Sequence, residues 1–321
     1  MIKIKKFSRN NYATWDSFVL RANNGTLFHL RKFLSYHPRD RFKDHSLEIY
    51  KKNTLLSVFP AADMSINDKK MLTSHPGSSY GSFVSKEGLS IKDATEMVSK
   101  LIDYSSKKGF DGIQLTIPPG SYSNRLSNYI EYSLLINGFD YLRRDVTSIL
   151  MIESSEHKIL NKFKPSHQRA LRKSKKLGVT TKLTERVDEF FSMLKNNLKI
   201  RHGVNPTHSL KELKSLIKLF PDSINIYGAF YDGQMIAGVL NIMVKESVAL
   251  AFYISHKEDF QELRPLNLLF FDIFKWSLKN NIKVYDFGTF TDKGIANMGL
   301  GRFKESFGAS GVFRDSFKIL F

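Results

Sequence analysis

The sequence predicts an α/β protein built from two similar units. Each half of the chain shows the same order of elements, a β-hairpin followed by a strand, a helix and a further strand. Phe83 and Ile113 are 30 residues apart in the first half. Ile254 and Val284 are also 30 residues apart in the second. We therefore expect two α/β units, each with a mixed, mainly antiparallel sheet flanked by helices, and a cleft between them.

The elements of the first half are predicted over 47–51, 54–61, 80–85, 91–108 and 112–117. Lys52-Asn53 separates the two hairpin strands, because the apolar pattern is interrupted there. The stretch after position 90 is predicted to be helical, since Met97 and Leu101 keep helical spacing and Gly109 can end the helix. A short strand before this helix and another after it complete the expected unit.

The second half repeats this order with clearer signals, over 224–231, 235–244, 248–255, 265–279 and 284–288. Asp232-Gly233 is a strong hairpin turn, and Pro265 suits the first position of a helix. We expect one domain over 1–154 and a second over 155–321, with a linker near 153–156.

Composition excludes several kinds of site. The chain of 321 residues has no cysteine, which rules out disulfides, thiolate nucleophiles and cysteine-ligated metals. The nine histidines show no paired metal-ligand spacing, so we predict no metal, and no motif indicates a tightly bound cofactor. Hydrophobic residues make up 42% of the chain, which is enough for a packed core.

No segment predicts export or membrane insertion. The N-terminus is basic but has no apolar run after it, so it is not typical of a signal peptide. The most apolar run, 266–276, is too short to span a bilayer and contains Asp272. We expect a cytoplasmic protein that can contact the inner surface of a membrane.

The charge predicts an anionic partner. Lysine and arginine total 49 against 31 acidic residues, a formal net charge of +18, which favours nucleic acid, anionic lipid or nucleotide-linked substrates. The basic residues are densest over 158–176, where we expect a helix capped by Ser166 and ended by Gly178. Arg169, Arg172 and Lys176 would share one face of it and bind donor phosphate. The alternative is a solvated helix face in a basic protein.

A segment near the C-terminus points to acyl transfer. Lys304 stands between Phe303 and Phe307, after a glycine-rich stretch. A cation held beside apolar rings can stabilise the oxyanion that forms when an amine attacks an ester or thioester carbonyl. Asp286, at a strand end, would accept the amine proton or orient Lys304, and the alternative is an aspartate that only forms the turn. The alternative is that Lys304 forms a surface ion pair with Asp286 or Glu305.

Two further groups are candidates for substrate binding. The first is Ser74, His75, Tyr80 and Gly81, which combine polar groups with a close backbone approach in one loop. His75 could also shuttle protons, because imidazole titrates near neutrality, although a structural turn is the alternative. The second group is Arg201, His202 and Tyr253.

Nine short segments resemble the Fem-type transferases in their order and spacing, and the resemblance covers nearly the whole chain. They are Gly25-Thr26-Leu27-Phe28, Val58-Phe59-Pro60-Ala61, Ser74-His75-Pro76-Gly77, Tyr80-Gly81, Arg201-His202-Gly203, Phe230-Tyr231-Asp232-Gly233, Ala237-Gly238, Tyr285-Asp286-Phe287-Gly288 and Arg302-Phe303-Lys304. Fem-type enzymes are twin-GNAT proteins that append amino acids or acyl groups to cell-envelope precursors.

The resemblance implies two tandem GNAT-like units and transfer to an amine of a peptidoglycan peptide or an amino sugar. In Fem-type enzymes the lysine of a Phe-Lys pair near the C-terminus is associated with stabilising the tetrahedral intermediate. Phe303 and Lys304 match that pair. The implied reaction is a direct attack by the amine, in which positioning and electrostatics supply the rate and no protein nucleophile is needed.

Two departures bear on the acyl donor. Acetyl-CoA GNAT enzymes have a glycine-rich turn before the helix that receives the pyrophosphate, whereas 259–267 contains no glycine and two acids. This favours aminoacyl-tRNA, for which a basic protein is suited. The chain also lacks the long coiled-coil arm of some Fem enzymes. In this respect the chain resembles the compact members of the Fem-type family. Some of these acylate sugar amines of surface polysaccharides from acyl-CoA or carrier-protein thioesters.

The sequence therefore does not decide between aminoacyl-tRNA and an acyl thioester as the donor. A CoA- or carrier-protein-dependent N-acyltransferase that acts on surface polysaccharide is an alternative function. A non-catalytic protein that binds nucleic acid or an anionic membrane is a further alternative. No nucleic-acid-reading motif supports it, and neither role requires Phe303-Lys304. The acceptor, the general base and the oligomeric state have no signal in the sequence.

Overall fold

The computed structural model describes residues 1–38, 40–202, 205–292 and 294–321, without the side chains of residues 201 and 202. Its helices are α1 (Tyr12–Arg21), α2 (Arg31–Leu34), α3 (Ile91–Lys107), α4 (Tyr129–Ile136), α5 (Glu156–Lys162), α6 (Pro165–Lys176), α7 (Val187–His202), α8 (Leu210–Leu219), α9 (Pro265–Lys279) and α10 (Met298–Glu305). Within this part of the chain, every helix is too short or too polar to cross a bilayer.

The strands are likewise labelled along the chain. They are β1 (Ile2–Lys6), β2 (Lys43–Asp44), β3 (Leu47–Lys51), β4 (Thr54–Phe59), β5 (Ala62–Ile66), β6 (Lys69–Ser74), β7 (Val84–Ser85), β8 (Gly112–Thr116), β9 (Asp140–Met151), β10 (Thr180–Thr184), β11 (Ile224–Tyr231), β12 (Gln234–Lys245), β13 (Val248–His256), β14 (Val284–Thr289), β15 (Thr291–Asp292), β16 (Ile295–Ala296) and β17 (Ser310–Leu320).

The chain divides into two compact units. The first contains residues 1–146 and 313–321, and the second contains residues 147–312. The sequence instead suggests a boundary at 154, with the whole C-terminal part in the second domain. The difference arises because the last residues of β17 pair with β8, where Phe317 lies opposite Leu115. Their backbone hydrogen bonds are therefore satisfied in the first unit.

In the first unit, helix α3 connects two parallel strands. β6 and β8 pair in parallel, with Leu72 opposite Ile113. On the other side of β6 lie the antiparallel strands β5 and β2, and a separate antiparallel sheet has the order β1-β3-β4-β7. The buried face of α3, including Met97 and Leu101, belongs to one hydrophobic cluster with Leu72 and Ile113.

The strand before α3 differs from the expectation. The sequence suggests 80–85, but the strand that pairs with β8 is β6, while β7 pairs with β4 instead. The hairpin β5–β6 escapes detection because it turns at Asn67 and Asp68, both with positive φ (50° and 60°). Asn-Asp is a weaker turn signal than Asp-Gly. The two equal separations of 30 residues, Phe83 to Ile113 and Ile254 to Val284, therefore start from segments that are not equivalent in the two units.

The second unit follows the predicted order. β13 and β14 pair in parallel, with Ala249 opposite Tyr285, and α9 connects them. β10, β11, β12 and β13 form antiparallel neighbours, with the predicted hairpin turn at Asp232-Gly233 in positive φ (48° and 74°). The end of β9 pairs antiparallel with the other side of β14. A helix between parallel strands in each unit confirms the predicted α/β class with two similar units.

The core of the second unit is a cluster of aromatic rings around α9. The ring centroid of Phe270 lies 5.0 Å from that of Phe287 and 5.0 Å from that of Phe307. Phe274 and Tyr285 belong to the same cluster and are fully buried. Because α9 contributes so many of these rings, its position is fixed by the core.

Truncating this core should destabilise the protein strongly. Phe270 is fully buried, so Phe270→Ala is expected to lower the free energy of unfolding by about 3–5 kcal/mol, through lost burial and a cavity. The control is Phe313→Ala, because Phe313 is 56% exposed. Denaturant titration of both variants is the measurement. Equal losses for the two would contradict the assignment of Phe270 to the core.

Candidate active site

A buried lysine closes the end of β14. The backbone is irregular there: the pairing with β9 shifts between Asp286 and Thr289, and Gly288 has a φ of +77°. Lys304 donates hydrogen bonds to the carbonyl oxygens of Gly288 (2.6 Å) and Thr289 (2.8 Å). It is only 1% exposed. The alternative of a surface ion pair is therefore wrong, because the ammonium lies inside the protein.

Helix α10 holds this lysine in place. The side chain of Asn297 accepts a hydrogen bond from the backbone N–H of Leu300 (3.0 Å), which caps the helix at its N-terminus. The cap starts α10 close enough to β14 for Lys304, in its last turn, to reach the strand end. Gly301 lies against the ring of Phe290, where an added Cβ would be 3.2 Å from a ring carbon.

Asp286 is the anionic neighbour of Lys304. It is fully buried and accepts hydrogen bonds from the Thr147 hydroxyl and from the backbone N–H of Gly288 (2.6 Å). Burial lowers the pKa of Lys304 to about 8, and the charge of Asp286 opposes that shift. Lys304 therefore keeps its positive charge at neutral pH.

A cavity of about 710 Å³ opens at the N-terminus of α9. Pro265, Leu266 and Asn267 line it from α9, and one face of α6 lines it from the other side. Helix α9 has proline at its first position and no acid in its first turn. The unpaired N–H groups and the dipole of a helix N-terminus favour an anion.

Three cations border this cavity. Arg169 and Lys173 are four residues apart on α6, so they lie on the same face, and Arg264 precedes α9. Of the two acids in 259–267, neither lines the cavity. Glu262, 81% exposed at its side chain, pairs with Lys173 at 3.3 Å and with Arg264 at 3.9 Å, which leaves Arg169 as the cation without this acid. The cavity is therefore suited to a ligand that carries phosphate.

His167 and Asn267 join the two helix ends. Each is the third residue of a helix that begins with proline, and Asn267 Nδ2 lies 2.8 Å from His167 Nδ1. Burial lowers the pKa of His167, and the charges of Lys164 and Arg264 add to the effect. Sequence reasoning missed this pair, for which the repeated proline start was the available signal.

Of the three residues predicted to bind donor phosphate, only Arg169 lines the cavity. Arg172 and Lys176 are exposed on the neighbouring side of α6, and Lys173 takes their place. Gly178 ends the helix as expected, with a φ of +83°. The cap is wrong: α6 begins at Pro165 and its N-cap is Lys164, not Ser166.

Phe303 connects the cavity with the buried lysine. Its side chain lines the cavity and packs on Phe307 with a ring centroid distance of 5.1 Å. Lys304 follows it directly in α10. The structure therefore brings Arg169 and Phe303 to one cavity, and it brings Lys304 and Asp286 together at the end of β14.

The predicted substrate-binding residues of the first unit are buried and hold a loop together. Ser74 Oγ donates to the carbonyl of Pro60 and accepts from the backbone N–H of Ser82. The Tyr80 hydroxyl lies 3.3 Å from that of Tyr122. At Gly81 a Cβ would lie 2.2 Å from the carbonyl carbon of Ser74, so glycine is required.

His75 does not fit the predicted role of proton shuttle. It is only 7% exposed, and burial lowers its pKa to about 3. The imidazole is therefore neutral throughout the physiological range and does not titrate near pH 7. The expectation fails because it used the pKa of a solvated histidine.

The remaining candidates lie elsewhere. Tyr253 is on β13, and its hydroxyl is 2.9 Å from His208 Nδ1. Burial raises its pKa. The side chains of Arg201 and His202 lie outside the described residues.

The burial of Lys304 predicts a pH-dependent stability. Its pKa is about 8 in the folded state and 10.5 when solvated, so the folded state disfavours the charged form. That penalty is complete below pH 8 and disappears as the pH rises towards 10.5. Relative to Lys304→Met, the wild type should therefore gain roughly 2 kcal/mol between about pH 7 and pH 10.

Denaturant titration at several pH values measures this difference. Lys283→Met, at an exposed position, is the control and should show no comparable trend. If the free energy of unfolding of the wild type, relative to that of Lys304→Met, stays constant or falls as the pH rises, the burial of a charged ammonium is contradicted.

Comparison with known proteins agrees with this geometry. Residues 161–305 match the family described as acetyltransferase (GNAT) domain. That segment runs from α5 to the end of α10 and includes the cavity and Lys304. No curated protein matches the sequence.

Solved structures match almost the whole chain. FemX has a TM-score of 0.76 at 13% identity, over 99% of this chain and 97% of FemX. A tandem GNAT protein from the clavulanic acid biosynthesis pathway has a TM-score of 0.58 at 8% identity, over 100% and 98%. The C-terminal domain of a putative lysylphosphatidylglycerol synthetase from Agrobacterium fabrum has a TM-score of 0.57 at 10% identity, over 97% and 92%.

These matches agree with the order of elements in both units and with the resemblance drawn from the sequence motifs. Residues 161–305 therefore match an acetyltransferase (GNAT) domain, which supports an acyltransferase activity, and over almost its whole length the chain has the fold of FemX and of the tandem GNAT protein.

Proposed function

We propose that the protein transfers an aminoacyl or acyl group from a phosphate-bearing donor to an amine of a cell-envelope precursor, either a peptidoglycan peptide or an amino sugar. One observation carries the proposal. Within the GNAT domain, the cavity at the N-terminus of α9 is bordered by Arg169, Lys173 and Arg264 and also by Phe303, which directly precedes the buried Lys304.

The reaction needs charge stabilisation more than a protein nucleophile. The amine nitrogen attacks the carbonyl carbon, so a C–N bond forms while the C–O bond of an ester or the C–S bond of a thioester breaks. The amine loses a proton and the leaving oxygen or sulfur gains one. Negative charge develops on the carbonyl oxygen, and a fixed positive charge nearby lowers the barrier.

Lys304 and Asp286 act as a buried pair in this proposal. Lys304, which follows the cavity-lining Phe303 in α10, supplies a fixed positive charge, and its two hydrogen bonds hold the carbonyls at the end of β14. Asp286 helps to keep the lysine protonated. Phe303 presents an apolar wall to the donor and excludes water from it.

The donor is proposed to be aminoacyl-tRNA first and acyl-CoA second. Both contain phosphate, which the cations and the α9 N-terminus would bind. Arg264 has a φ of +53°, so it adopts the conformation usually taken by glycine and places a cation there. This and the net charge of +18 favour a polyanion such as tRNA. The chain shares its fold with FemX and with a domain of a putative lysylphosphatidylglycerol synthetase. This similarity supports the proposal that amino acids are transferred to envelope molecules.

Replacing the buried lysine should slow transfer. Lys304→Met is expected to lower the rate at least about a hundredfold, the size seen when an oxyanion-stabilising group is removed. The control is Arg302→Met, an exposed position on the same helix. Release of label from radiolabelled aminoacyl-tRNA, and separately from acyl-CoA, to an amine acceptor is the measurement. Near-wild-type turnover in a folded Lys304→Met protein would refute the role.

The α6 face that holds the donor can be tested with matched substitutions. Arg169→Gln with Lys173→Gln should raise the KM for the donor about tenfold or more, because two phosphate contacts are lost. Arg172→Gln with Lys176→Gln removes the same charge from the same helix, but outside the cavity. A similar KM in both double variants would mean that only the general charge of α6 matters.

A further inference from the structure

We infer that the first unit contains a second ligand site, built for a sugar that carries one anionic group. It is a cavity of about 380 Å³ between the N-terminus of α3, the segment 117–131 and the pair Asn23-Asn24. The inference goes beyond the proposed transfer and does not depend on it.

Two asparagines build the wall of this cavity. Asn23 donates to the carbonyl of Arg125 (2.9 Å) and accepts from its N–H (2.8 Å). Asn24 donates to the carbonyl of Phe83 (2.8 Å) and accepts from the N–H of Ser85 (2.9 Å). Three separate segments are thereby joined around one space, so the cavity is formed without a ligand.

One hydroxyl in this wall lacks a partner. Ser82 lines the cavity and is 1% exposed, and its Oγ has no hydrogen bond to any described residue. Its φ is +76°, a conformation that is unfavourable for serine. The backbone is held there by the hydrogen bond from Ser82 N–H to Ser74 Oγ (2.7 Å). A buried unpaired hydroxyl in a strained backbone indicates a group kept for a ligand.

The lining indicates which ligand fits. Hydroxyl and carboxamide groups share the cavity with an apolar side formed by Ile117, Pro118 and Ile130. Groups of this kind can both donate and accept, which suits the hydroxyls of a sugar above its apolar ring face. Lys86 and Arg125 at the rim supply cations for an anionic substituent.

A polyanion is disfavoured at this site. Ser90 already caps α3 by accepting from the backbone N–H of Asp93 (3.1 Å), and Asp93 adds an acid to the first turn. Glu131 is a further carboxyl group in the lining. The first turn of α9 has neither an acid nor a side-chain cap. The two cavities therefore select different ligands.

The two cavities nonetheless occupy equivalent places in their own units. Each lies at the N-terminus of the helix that connects two parallel strands, α3 between β6 and β8 and α9 between β13 and β14. In α/β sheets ligands bind outside the carboxyl ends of parallel strands. The two units thus carry two cavities at equivalent places, and the linings of these cavities differ in their chemistry.

The site can be tested by titrating the wild-type protein with glucuronic acid, glucose 6-phosphate and glucose, using calorimetry without any acyl donor. At least one anionic sugar should bind about tenfold or more tightly than glucose. The tighter of the two identifies carboxylate or phosphate as the anionic group. Ser82→Ala should weaken the binding of the tighter anionic sugar about fivefold, the effect of one hydrogen bond. Arg125→Gln should weaken the binding of the anionic sugar but not that of glucose.

Three control variants make the result specific. Ser105→Ala removes another buried serine hydroxyl that lacks a partner among the described residues, but outside the cavity, and should leave binding unchanged. Lys304→Met should also bind normally, as should Arg169→Gln with Lys173→Gln. No saturable binding of either anionic sugar would overturn the inference. Unchanged affinity for the anionic sugar in both Ser82→Ala and Arg125→Gln would also overturn it. Loss of sugar binding in the double variant of Arg169 and Lys173 would do the same.

Discussion

The end of β14 in the second unit is arranged around one buried positive charge. An ammonium removed from water is costly unless it is paired and hydrogen bonded. The irregular end of β14 meets this need, because Gly288 allows the backbone to turn and expose two carbonyls to Lys304. Asp286 is held by Thr147 and by the turn itself. An apparent irregularity of the sheet is thus the support of a fixed cation.

Helix α9 serves the core and the cavity at once. Its aromatic residues form the centre of the cluster that also contains Phe307, while its N-terminus lines the cavity with Phe303. The N-terminus cannot shift without disturbing rings that pack at centroid distances near 5 Å. Because both the cavity and Lys304 rest on this core, their arrangement is preorganised, which is what electrostatic stabilisation requires.

Sequence reasoning succeeded where the signal was local. Pro265 and Asp232-Gly233 set the bounds of α9 and of the β11–β12 hairpin, and the aromatic neighbours of Lys304 indicated a held cation. It failed where the structure depends on contacts between residues that are far apart in the sequence. Whether Lys173 or Arg172 faces the cavity depends on how α6 packs on α9, and the His167–Asn267 contact joins residues 100 positions apart. The carbonyls that bind Lys304 belong to the backbone, which carries no residue-specific signal.

The pairing of β17 with β8 has a consequence for the order in which the chain folds. During synthesis, residues 1–146 leave the ribosome long before 313–321, so β8 first exists with one edge unpaired. An open edge strand is prone to pair with other chains. The second unit can assemble its aromatic core in the meantime, and only then does β17 arrive. The N-terminal unit is thus the last to be completed, and truncation of the final strand would damage the part of the protein made first.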